Sequence, residues 1–396
     1  MLKIEEILDN NQLVIHLQPI LSLRGKILLG FEALIRGVDN DGNIIAPAWL
    51  FREASKTGLI SRLDQEARHL AIHAFAPLYK ANPKLILFVN FESTLINEFA
   101  PGNYLFDGLL SEYGIPFKNI ILEIKEDSVK NTKRLQNFCT HYKSLGFSIA
   151  LDDFGTGESS FDRLAVVQPD IIKIDRSLIS NLKDDYINQE IVRAICNMSV
   201  RIGTIVLAEG VETEDEAVYS RYLGATLVQG FWFAKPSKNP LQSNYENKME
   251  IVQSKAHQII KDLHDKDEKL RAKSEKIYEA FYSNFGEGIC IDQWTLCANK
   301  IIEQYTDIEA LYLIDSNAKQ IGATILCCDT KSFYEPTKDG CDHSFKEYYI
   351  GTKDTPNEFY LTEEYISVAS GDICRTYARS FELEEQQFTL CIDSIK

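Results

Sequence analysis

The stretch FSIALDDFGTG, residues 147–157, joins an apolar run to two adjacent aspartates and a glycine-rich turn. The apolar run is typical of a strand buried in a parallel sheet. Asp152 and Asp153 follow at its end, and neighbouring carboxylates repel each other unless a cation or strong hydrogen bonds compensate. The stretch therefore predicts a strand that carries a functional acidic pair at its carboxyl end.

Similar apolar runs recur along the first 236 residues, and amphipathic helical patterns separate most of them. The predicted strands are 13–20, 27–36, 85–91, 119–124, 147–153, 170–175, 204–210 and 226–231. Eight strands that alternate with helices over about 240 residues predict an α/β fold of the (β/α)8 TIM-like type. The turn at 22–26 is too short for a crossover helix, so the first strand is predicted to pair antiparallel with the second.

The chain has 396 residues, more than one typical domain, and its character changes after residue 240. Residues 241–285 contain no glycine or proline, and apolar residues recur every seven positions from Met249 to Ile277. This pattern predicts a linker helix with a coiled-coil-like seam, or else a helix packed on one of the domains. Residues 286–396 predict a small α+β domain with one sheet. The predicted organisation is thus a barrel (1–240), a linker helix (241–285) and a C-terminal domain (286–396).

The bulk composition restricts the partners of the chain. Its net charge of −16 disfavours nucleic acid polymers and anionic lipid surfaces. No apolar run approaches the roughly 20 residues of a membrane span, and the acidic N-terminus lacks the apolar core of a signal peptide. The nine cysteines include no CxxC pair. We therefore expect a cytoplasmic protein with reduced thiols and no membrane partner.

Polar side chains stand at the carboxyl ends of the predicted barrel strands, where barrel enzymes carry their working residues. They are Gln18, Glu32, Asn90, Glu123, Asp152, Asp153, Lys173, Glu209 and Gln229. Closing the barrel would crowd these carboxylates together, and oxygen ligands without histidine or cysteine favour Mg²⁺, Mn²⁺ or Ca²⁺ over zinc. A two-metal site of this kind suits in-line attack of water on a phosphodiester. Lys173 is a candidate to orient that water, and Glu209 to accept its proton or complete the second metal site.

These residues lie within motifs that resemble the bacterial EAL domain family over roughly residues 1–240. The motifs are FEALIRG (31–37), VNF (89–91), LEIKE (122–126), LDDFGTG (151–157), KIDRS (173–177), AEGVE (208–212), VQGF (228–231) and AKP (234–236). The resemblance implies hydrolysis of cyclic di-GMP to linear pGpG with Mg²⁺ or Mn²⁺. It also implies a homodimer formed through helices near the DDFGTG loop, and the 241–285 helix is expected to assist.

The resemblance also implies a role for each matching residue. The first metal would be held by Glu32, Asn90, Glu123 and Asp152, and the second by Asp152, Asp153 and Glu209. The catalytic residues would be Glu209, Lys173 and Glu32. The substrate would be bound by Gln18, Leu34, Arg36, Asp153, Gln229 and Pro236, with Arg36 on a phosphate and Gln18 and Pro236 along the guanine pockets. Glu126 would anchor the DDFGTG loop, and Glu212 would support the second-metal side.

Two positions depart from the family pattern. Glu158 stands where an aromatic residue is usual, and Lys125 stands where a small hydroxyl residue is usual. These two residues either form a compensating ion pair or are exposed positions without consequence. Because the loop couples metal and substrate binding, a receptor that binds cyclic di-GMP without cutting it is the alternative function.

The C-terminal stretches HSFKEYY (343–349) and EEYISVASGDICRTYARSF (363–381) resemble PAS-like or Cache-like modules. That resemblance implies a sensory domain that regulates the barrel. His343, Tyr349, Tyr365 and Thr376 would then line a pocket for an unknown small ligand. The alternative is that these four residues belong to the core and turns of the domain.

Overall fold

The structure is a computed structural model, and it describes residues 3–98, 108–125, 129, 131–156, 160–240, 245–284, 291–305, 307–327, 336–353, 359–383 and 385–395. The chain divides into two compact units, Met1–Ile260 and Lys261–Lys396. The division falls inside one long helix. None of the described helices combines the length and the apolar character that crossing a membrane requires.

The first unit contains all eight predicted strands and one additional short strand. They are β1 Leu13–Ser22, β2 Ile27–Val38, β3 Ile44–Ile45, β4 Ile86–Phe91, β5 Ile120–Lys125, β6 Ser148–Phe154, β7 Ile171–Ile174, β8 Ile205–Ala208 and β9 Leu227–Val228. The sheet runs in the order β1-β9-β8-β7-β6-β5-β4-β2, and β1 also pairs with β2, which closes the barrel. Strand β3 pairs antiparallel with Gly37 and Val38 at the end of β2.

The first strand runs against both of its neighbours. Strands β1 and β2 pair antiparallel from Leu13↔Gly37 to Ser22↔Ile27, and β1 meets β9 antiparallel at Leu21↔Val228. The remaining barrel pairs are parallel. The predicted modified (β/α)8 barrel is therefore confirmed.

Helices surround this barrel. They are α1 Ile4–Asp9, α2 Pro47–Thr57, α3 Ile60–Ala81, α4 Leu109–Glu112, α5 Thr132–Leu145, α6 Ser160–Val167, α7 Arg176–Ile179, α8 Tyr186–Ile202 and α9 Glu214–Leu223. Local sequence sets several boundaries. Asn131 and Asp185 accept backbone N–H bonds at the starts of α5 and α8, and Thr213 with Glu216 forms a capping box at the start of α9.

Helix α10, Tyr245–Asn284, is the predicted long helix and belongs to both units. Met249 and Ala256 are buried in the core of the first unit, and Ile277 is buried in the core of the second. Three of the five heptad residues therefore pack within the same chain. This packing differs from the predicted coiled-coil-like seam. Apolar side chains at both ends of the helix find partners in the adjoining cores, as the alternative of a packed helix requires.

The second unit is the predicted small α+β domain with one sheet. Its elements after α10 are α11 Ile291–Gln304, β10 Ile308–Asp315, β11 Gln320–Leu326, α12 Glu347–Lys353, β12 Phe359–Leu361, β13 Tyr365–Ile366, β14 Ile373–Leu383 and β15 Gln386–Ile395. The antiparallel sheet has the order β11-β10-β15-β14-β12, and β13 pairs with β14. Trp294 and Phe281 belong to its main apolar core.

Candidate active site

The barrel interior explains why the predicted residues converge. Ile20, Phe88, Ile121, Ala150, Ile171, Leu207 and Leu227 form one buried cluster across the strands. Successive side chains of a strand alternate between its two faces, so a residue two positions further along shares the same face. Two positions later stand Asn90, Glu123, Asp152, Lys173, Glu209 and Gln229. Gln18 stands two positions before Ile20, because β1 runs antiparallel to its neighbours. The polar site is thus the layer immediately above the apolar interior cluster.

Lys173 lies at the centre of this layer, and its side chain is only 1% exposed. Its Nζ atom lies 2.6 Å from Glu123 Oε1, 2.7 Å from Glu209 Oε1 and 2.8 Å from Asp152 Oδ1. Glu32 is further away, at 3.9 Å from Oε1 to Nζ. One buried ammonium therefore faces four carboxyl groups, so acidic groups outnumber cationic ones in this layer.

A hydrogen-bond network with three neighbouring polar residues orients Glu32. The Nδ2 atom of Asn90 donates to Glu32 Oε1 at 2.9 Å, and the Nε2 atom of Gln229 donates to Glu32 Oε2 at 2.6 Å. The same Gln229 nitrogen lies 3.0 Å from Gln18 Oε1. Gln18 in turn donates to the carbonyl of Ala234 at 3.1 Å. These contacts fix the orientation of the Glu32 carboxylate without neutralising it.

Burial and mutual repulsion shift the pKa values of the acids. Burial, and then the charge of Glu32, raises the pKa of Glu123 well above its usual value. Burial raises the pKa of Glu209 to about 8. Burial opposes the charged form of Lys173, but Asp152, Glu123 and Glu209 together raise its pKa well above the ordinary lysine value. The site thus favours added positive charge.

Asp152 and Asp153 diverge at the end of β6. The carboxylate of Asp152 turns towards Lys173, which outweighs burial and lowers its pKa. Asp153 has a φ of 54°, a left-handed conformation that aspartate tolerates better than most residues. Its Oδ2 atom lies 2.6 Å from the Nζ of Lys125, whose pKa is raised by this contact against the effect of burial. Lys125 therefore pairs with Asp153, and Glu158 lies outside the described residues.

The donor set fits divalent cations that prefer oxygen ligands. Two overlapping groups, Glu32 with Glu123 and Glu209, and Asp152 with Asp153 and Glu209, each offer one ligand oxygen per residue within 4.8 Å of the others. Glu123 Oε2 is buried and has no hydrogen-bond partner among the described residues. An unpaired buried carboxylate oxygen is costly unless a cation binds it. Either group therefore offers the oxygen ligands that a divalent cation prefers.

A cavity of about 590 Å³ opens beside these acids. Leu34, Asn90, Asp153 and Lys173 are among the residues that line it. Arg36 lies two positions beyond Leu34 on the same face of β2, is half-buried and donates to the carbonyl of Ile35 at 2.7 Å. Pro236 precedes Ser237, and Ser237 forms an antiparallel β-bridge with Leu17, the neighbour of Gln18. The predicted substrate-binding residues thus lie around the mouth of the barrel.

Two residues were predicted to support the site, Glu212 and Glu126, and the structure describes only the first. Glu212 forms an ion pair with Arg176, with Oε2 and Nη2 2.9 Å apart, and Arg176 also donates to the carbonyl of Gly210. This contact ties α7 to the segment that follows Glu209. Glu126 lies outside the described residues, so its predicted anchoring of the loop stays a prediction.

Sequence reasoning missed two side chains near the site. Burial, and then the positive charges of Arg36 and Lys238, lowers the pKa of His16, which lies two positions before Gln18 on the same face of β1. Asp64 accepts a hydrogen bond at 3.0 Å from the backbone of Glu92, two residues after Asn90. The signal for His16 was the alternation along β1. The signal for Asp64 was an acidic residue inside the apolar pattern of α3.

In the second unit, the four predicted pocket residues bond within the chain. His343 lies 2.9 Å from the Tyr348 hydroxyl and 3.0 Å from Gln320 Oε1. Tyr365 lies 2.9 Å from the hydroxyl of Thr376, and Tyr349 donates to the carbonyl of Ser316 at 3.0 Å. These contacts fit the alternative interpretation, in which the four residues are part of the core and turns.

Comparison with known proteins agrees with the fold of the barrel. The family model of the EAL domain matches residues 2–236. Cyclic di-GMP phosphodiesterase PdeF of Escherichia coli (strain K12) is 31% identical over 237 residues, which cover 59% of this chain and 31% of PdeF. The chain belongs to the EAL domain family, and it spans about a third of the length of that relative.

Two solved structures extend the comparison. Bacillus subtilis YkuI, an EAL-domain protein crystallised with cyclic di-GMP and calcium, superposes with a TM-score of 0.81 at 21% identity over 100% of both chains, so it supports the fold of both units. Klebsiella pneumoniae BlrP1, crystallised with manganese and cyclic di-GMP, is 29% identical with a TM-score of 0.51. That match covers 57% of this chain and 56% of BlrP1.

Proposed function

We propose that this chain hydrolyses cyclic di-GMP to linear pGpG in a reaction that depends on Mg²⁺ or Mn²⁺. The observation that supports this function is the layer of carboxylates around Lys173 at the mouth of the barrel. Relatives of similar sequence are named cyclic di-GMP phosphodiesterases, and BlrP1 binds the same nucleotide with manganese.

Each residue of the layer has a role in this proposal. Glu32, Asn90, Glu123 and Asp152 would hold one metal ion, and Asp152, Asp153 and Glu209 the other. Metal ions bound there would neutralise phosphate charge and lower the pKa of a bound water.

The chain's own residues orient the reactants and move the protons. Lys173 holds the attacking water by its ammonium group and offsets charge on the phosphate oxygens. Glu209 accepts a proton from that water while the oxygen attacks phosphorus and the bond to the ribose O3′ breaks. O3′ takes up a proton from solvent, and Glu209 returns its proton to solvent. The sum is addition of one water to cyclic di-GMP, which gives pGpG.

Arg36 and the groups around it support the choice of an anionic dinucleotide. Arg36, His16 and Lys238 are close enough to influence one another electrostatically, as the lowered pKa of His16 indicates. A planar guanidinium suits bidentate binding of a phosphate. Gln18 and Pro236 would then lie along the guanine bases, with Leu34 and Gln229 between the bases and the metal ions.

The test is a single substitution at the proposed base. We expect purified wild-type chain, incubated with cyclic di-GMP and Mn²⁺ or Mg²⁺, to produce a pGpG peak by chromatography, and E209Q to lose at least about 100-fold of that rate. Glu190→Gln, which changes a partly exposed carboxylate that pairs with Arg193 on α8, is the matched control and should retain most activity. Product formation at the wild-type rate by E209Q would contradict the role of Glu209.

A cyclic di-GMP receptor is the second candidate, and the ion pair between Lys125 and Asp153 favours it. A receptor would bind the nucleotide tightly and release no pGpG at any metal concentration. Calorimetric titration with cyclic di-GMP beside the chromatographic assay therefore distinguishes the two functions.

We also propose the domain roles that the sequence predicts. Residues 1–240 form the phosphodiesterase barrel, 241–285 a linker helix, and 286–396 a PAS-like or Cache-like domain that binds a small ligand and regulates turnover. The protein acts in the cytoplasm as a homodimer formed near the DDFGTG loop, with the helix 241–285 assisting. A monomeric mass by light scattering at micromolar concentration would contradict the dimer.

A further inference from the structure

We propose that Lys125 acts as a tethered cation that competes for Asp153 and makes the Asp152–Asp153–Glu209 group the weaker of the two metal sites. This inference rests on the proposed function, because it concerns the same acidic layer. It assigns a consequence to a residue that departs from the family pattern.

The position of Lys125 follows from the strand register. It is the last residue of β5 and lies opposite Asp152 in the β5–β6 pair. Its side chain extends along the cavity wall, and its Nζ atom reaches Asp153 Oδ2 at 2.6 Å. This carboxylate belongs to the second acidic group, so a metal ion there needs the same residue that the ammonium now binds.

The distribution of charge makes the effect specific to one group. Glu32, Glu123, Asp152, Asp153 and Glu209 carry five carboxylates. Lys173 contacts the first group and Asp152, whereas Lys125 contacts Asp153. Five carboxylates and one ammonium have a formal charge of −4, which two divalent ions would balance. The second ammonium changes this charge to −3, so the second divalent ion gains less electrostatic stabilisation.

Partial exposure limits the size of the effect. The Lys125 side chain is 54% exposed and the Asp153 side chain 35% exposed, so the lysine is able to swing into solvent when a metal ion binds. An ion pair at this exposure is weak, and we expect it to reduce the affinity of the second site by about two- to fivefold. At low metal concentration the chain would then hold one ion and bind cyclic di-GMP without rapid hydrolysis.

The experiment counts Mn²⁺ ions on the full chain in the absence of nucleotide, by electron paramagnetic resonance of free Mn²⁺. We expect the wild type to bind one ion tightly and a second more weakly. K125M removes the charge and keeps the length of the side chain, so its weaker site should tighten by about two- to fivefold. K125R keeps the charge and should resemble the wild type, and K143M is a control at a partly exposed lysine that contacts Asp170.

Each outcome decides the inference. Two equal sites in the wild type, or an unchanged weaker site in K125M, would overturn it. Loss of the weaker site in D153N, beside its gain in K125M, would support it. A tightened site in K125M without any pGpG production would leave the inference standing and contradict the proposed hydrolysis. Binding of no Mn²⁺ by any variant would overturn both.

Discussion

At the scale of single residues, Lys173 decides the electrostatics of the barrel mouth. Its ammonium lies within 2.8 Å of three carboxylates while its side chain is 1% exposed. Desolvation of these charges costs free energy, and only their mutual attraction offsets that cost. Removal of the lysine would leave a cluster of buried negative charges without compensation.

We therefore predict that K173M is strongly destabilised in the presence of a chelator. Loss of one partner from a buried ion pair typically costs about 3–5 kcal/mol. Added Mn²⁺ should raise the melting temperature of K173M by more than it raises that of the wild type, since the metal supplies the missing positive charge. Differential scanning calorimetry with EDTA and with Mn²⁺ measures both effects.

The matched control for K173M is K143M, whose lysine makes only a partly exposed ion pair with Asp170. Such a pair contributes about 0–1 kcal/mol, so K143M should melt close to the wild type under both conditions. Equal melting temperatures of K173M and wild type in EDTA would contradict the proposed electrostatic role.

The residue types at the strand ends were predictable, but their contacts were not. Alternation along a strand places Glu123, Asp152 and Lys173 on one face, so their convergence follows from closure of the barrel. The partner of Lys125 did not follow from the sequence, because Asp153 and Glu158 are both acidic and lie close to each other in the chain. The positive φ of Asp153 directs its carboxylate to Lys125.

At the scale of elements, the sheet of the second unit buries a carboxyl group. Asp393 on β15 accepts hydrogen bonds from Thr376 at 2.7 Å and from Tyr312 at 3.3 Å. Burial, with the nearby negative charge of Glu309, raises its pKa to about 7 against the effect of those hydroxyls. The folded state therefore binds a proton that the unfolded chain releases near pH 4.

This shift predicts a stability that falls as the pH rises. A raised carboxyl pKa stabilises the folded state most below the unfolded pKa, and the contribution is lost between about pH 4 and the folded pKa of about 7. We expect the free energy of unfolding of this unit to decline by up to about 1.4 kcal/mol per pH unit in that window, and D393N to flatten the slope. Urea unfolding followed by Trp294 fluorescence, with Trp49 and Trp232 replaced by phenylalanine, measures it.

The control for D393N is D372N, because Asp372 is exposed. It should leave the slope as in the wild type. A wild-type slope in D393N between pH 5 and 7 would show that another group causes the pH dependence.

At the scale of the whole molecule, the first part of helix α10 completes the apolar core of the first unit. Tyr245, Met249, Val252 and Ala256 are buried with the core of the first unit. Burial of each large apolar side chain contributes about 1.5–3 kcal/mol. A fragment that ends at residue 240 loses these contacts and exposes the apolar surface that they cover.

We predict that a fragment 1–260 folds and that a fragment 1–240 melts several degrees lower or aggregates. In the full chain, Met249→Ala should lower the free energy of unfolding by about 2–5 kcal/mol. Ile260→Ala is the matched control, since Ile260 is 49% exposed. Equal melting temperatures for the two fragments would contradict the packing role of α10.

Turnover of the 1–260 fragment relative to the full chain then tests the proposed regulation. A rate that differs from that of the full chain would support control by the C-terminal domain. Equal rates would contradict that regulation, because the 1–260 fragment keeps the part of α10 that packs on the barrel.

The barrel, its antiparallel first strand and the polar residues at its mouth followed from the amino-acid sequence alone. These features depend on local patterns, namely apolar runs, turn length and alternation along strands. The folded chain was needed to show that Lys125 binds Asp153, that Asp64 accepts a hydrogen bond from the backbone after Asn90, and that α10 packs into both cores. Those contacts join residues distant in the chain, and several partners of equal chemistry compete for them until the backbone positions are set.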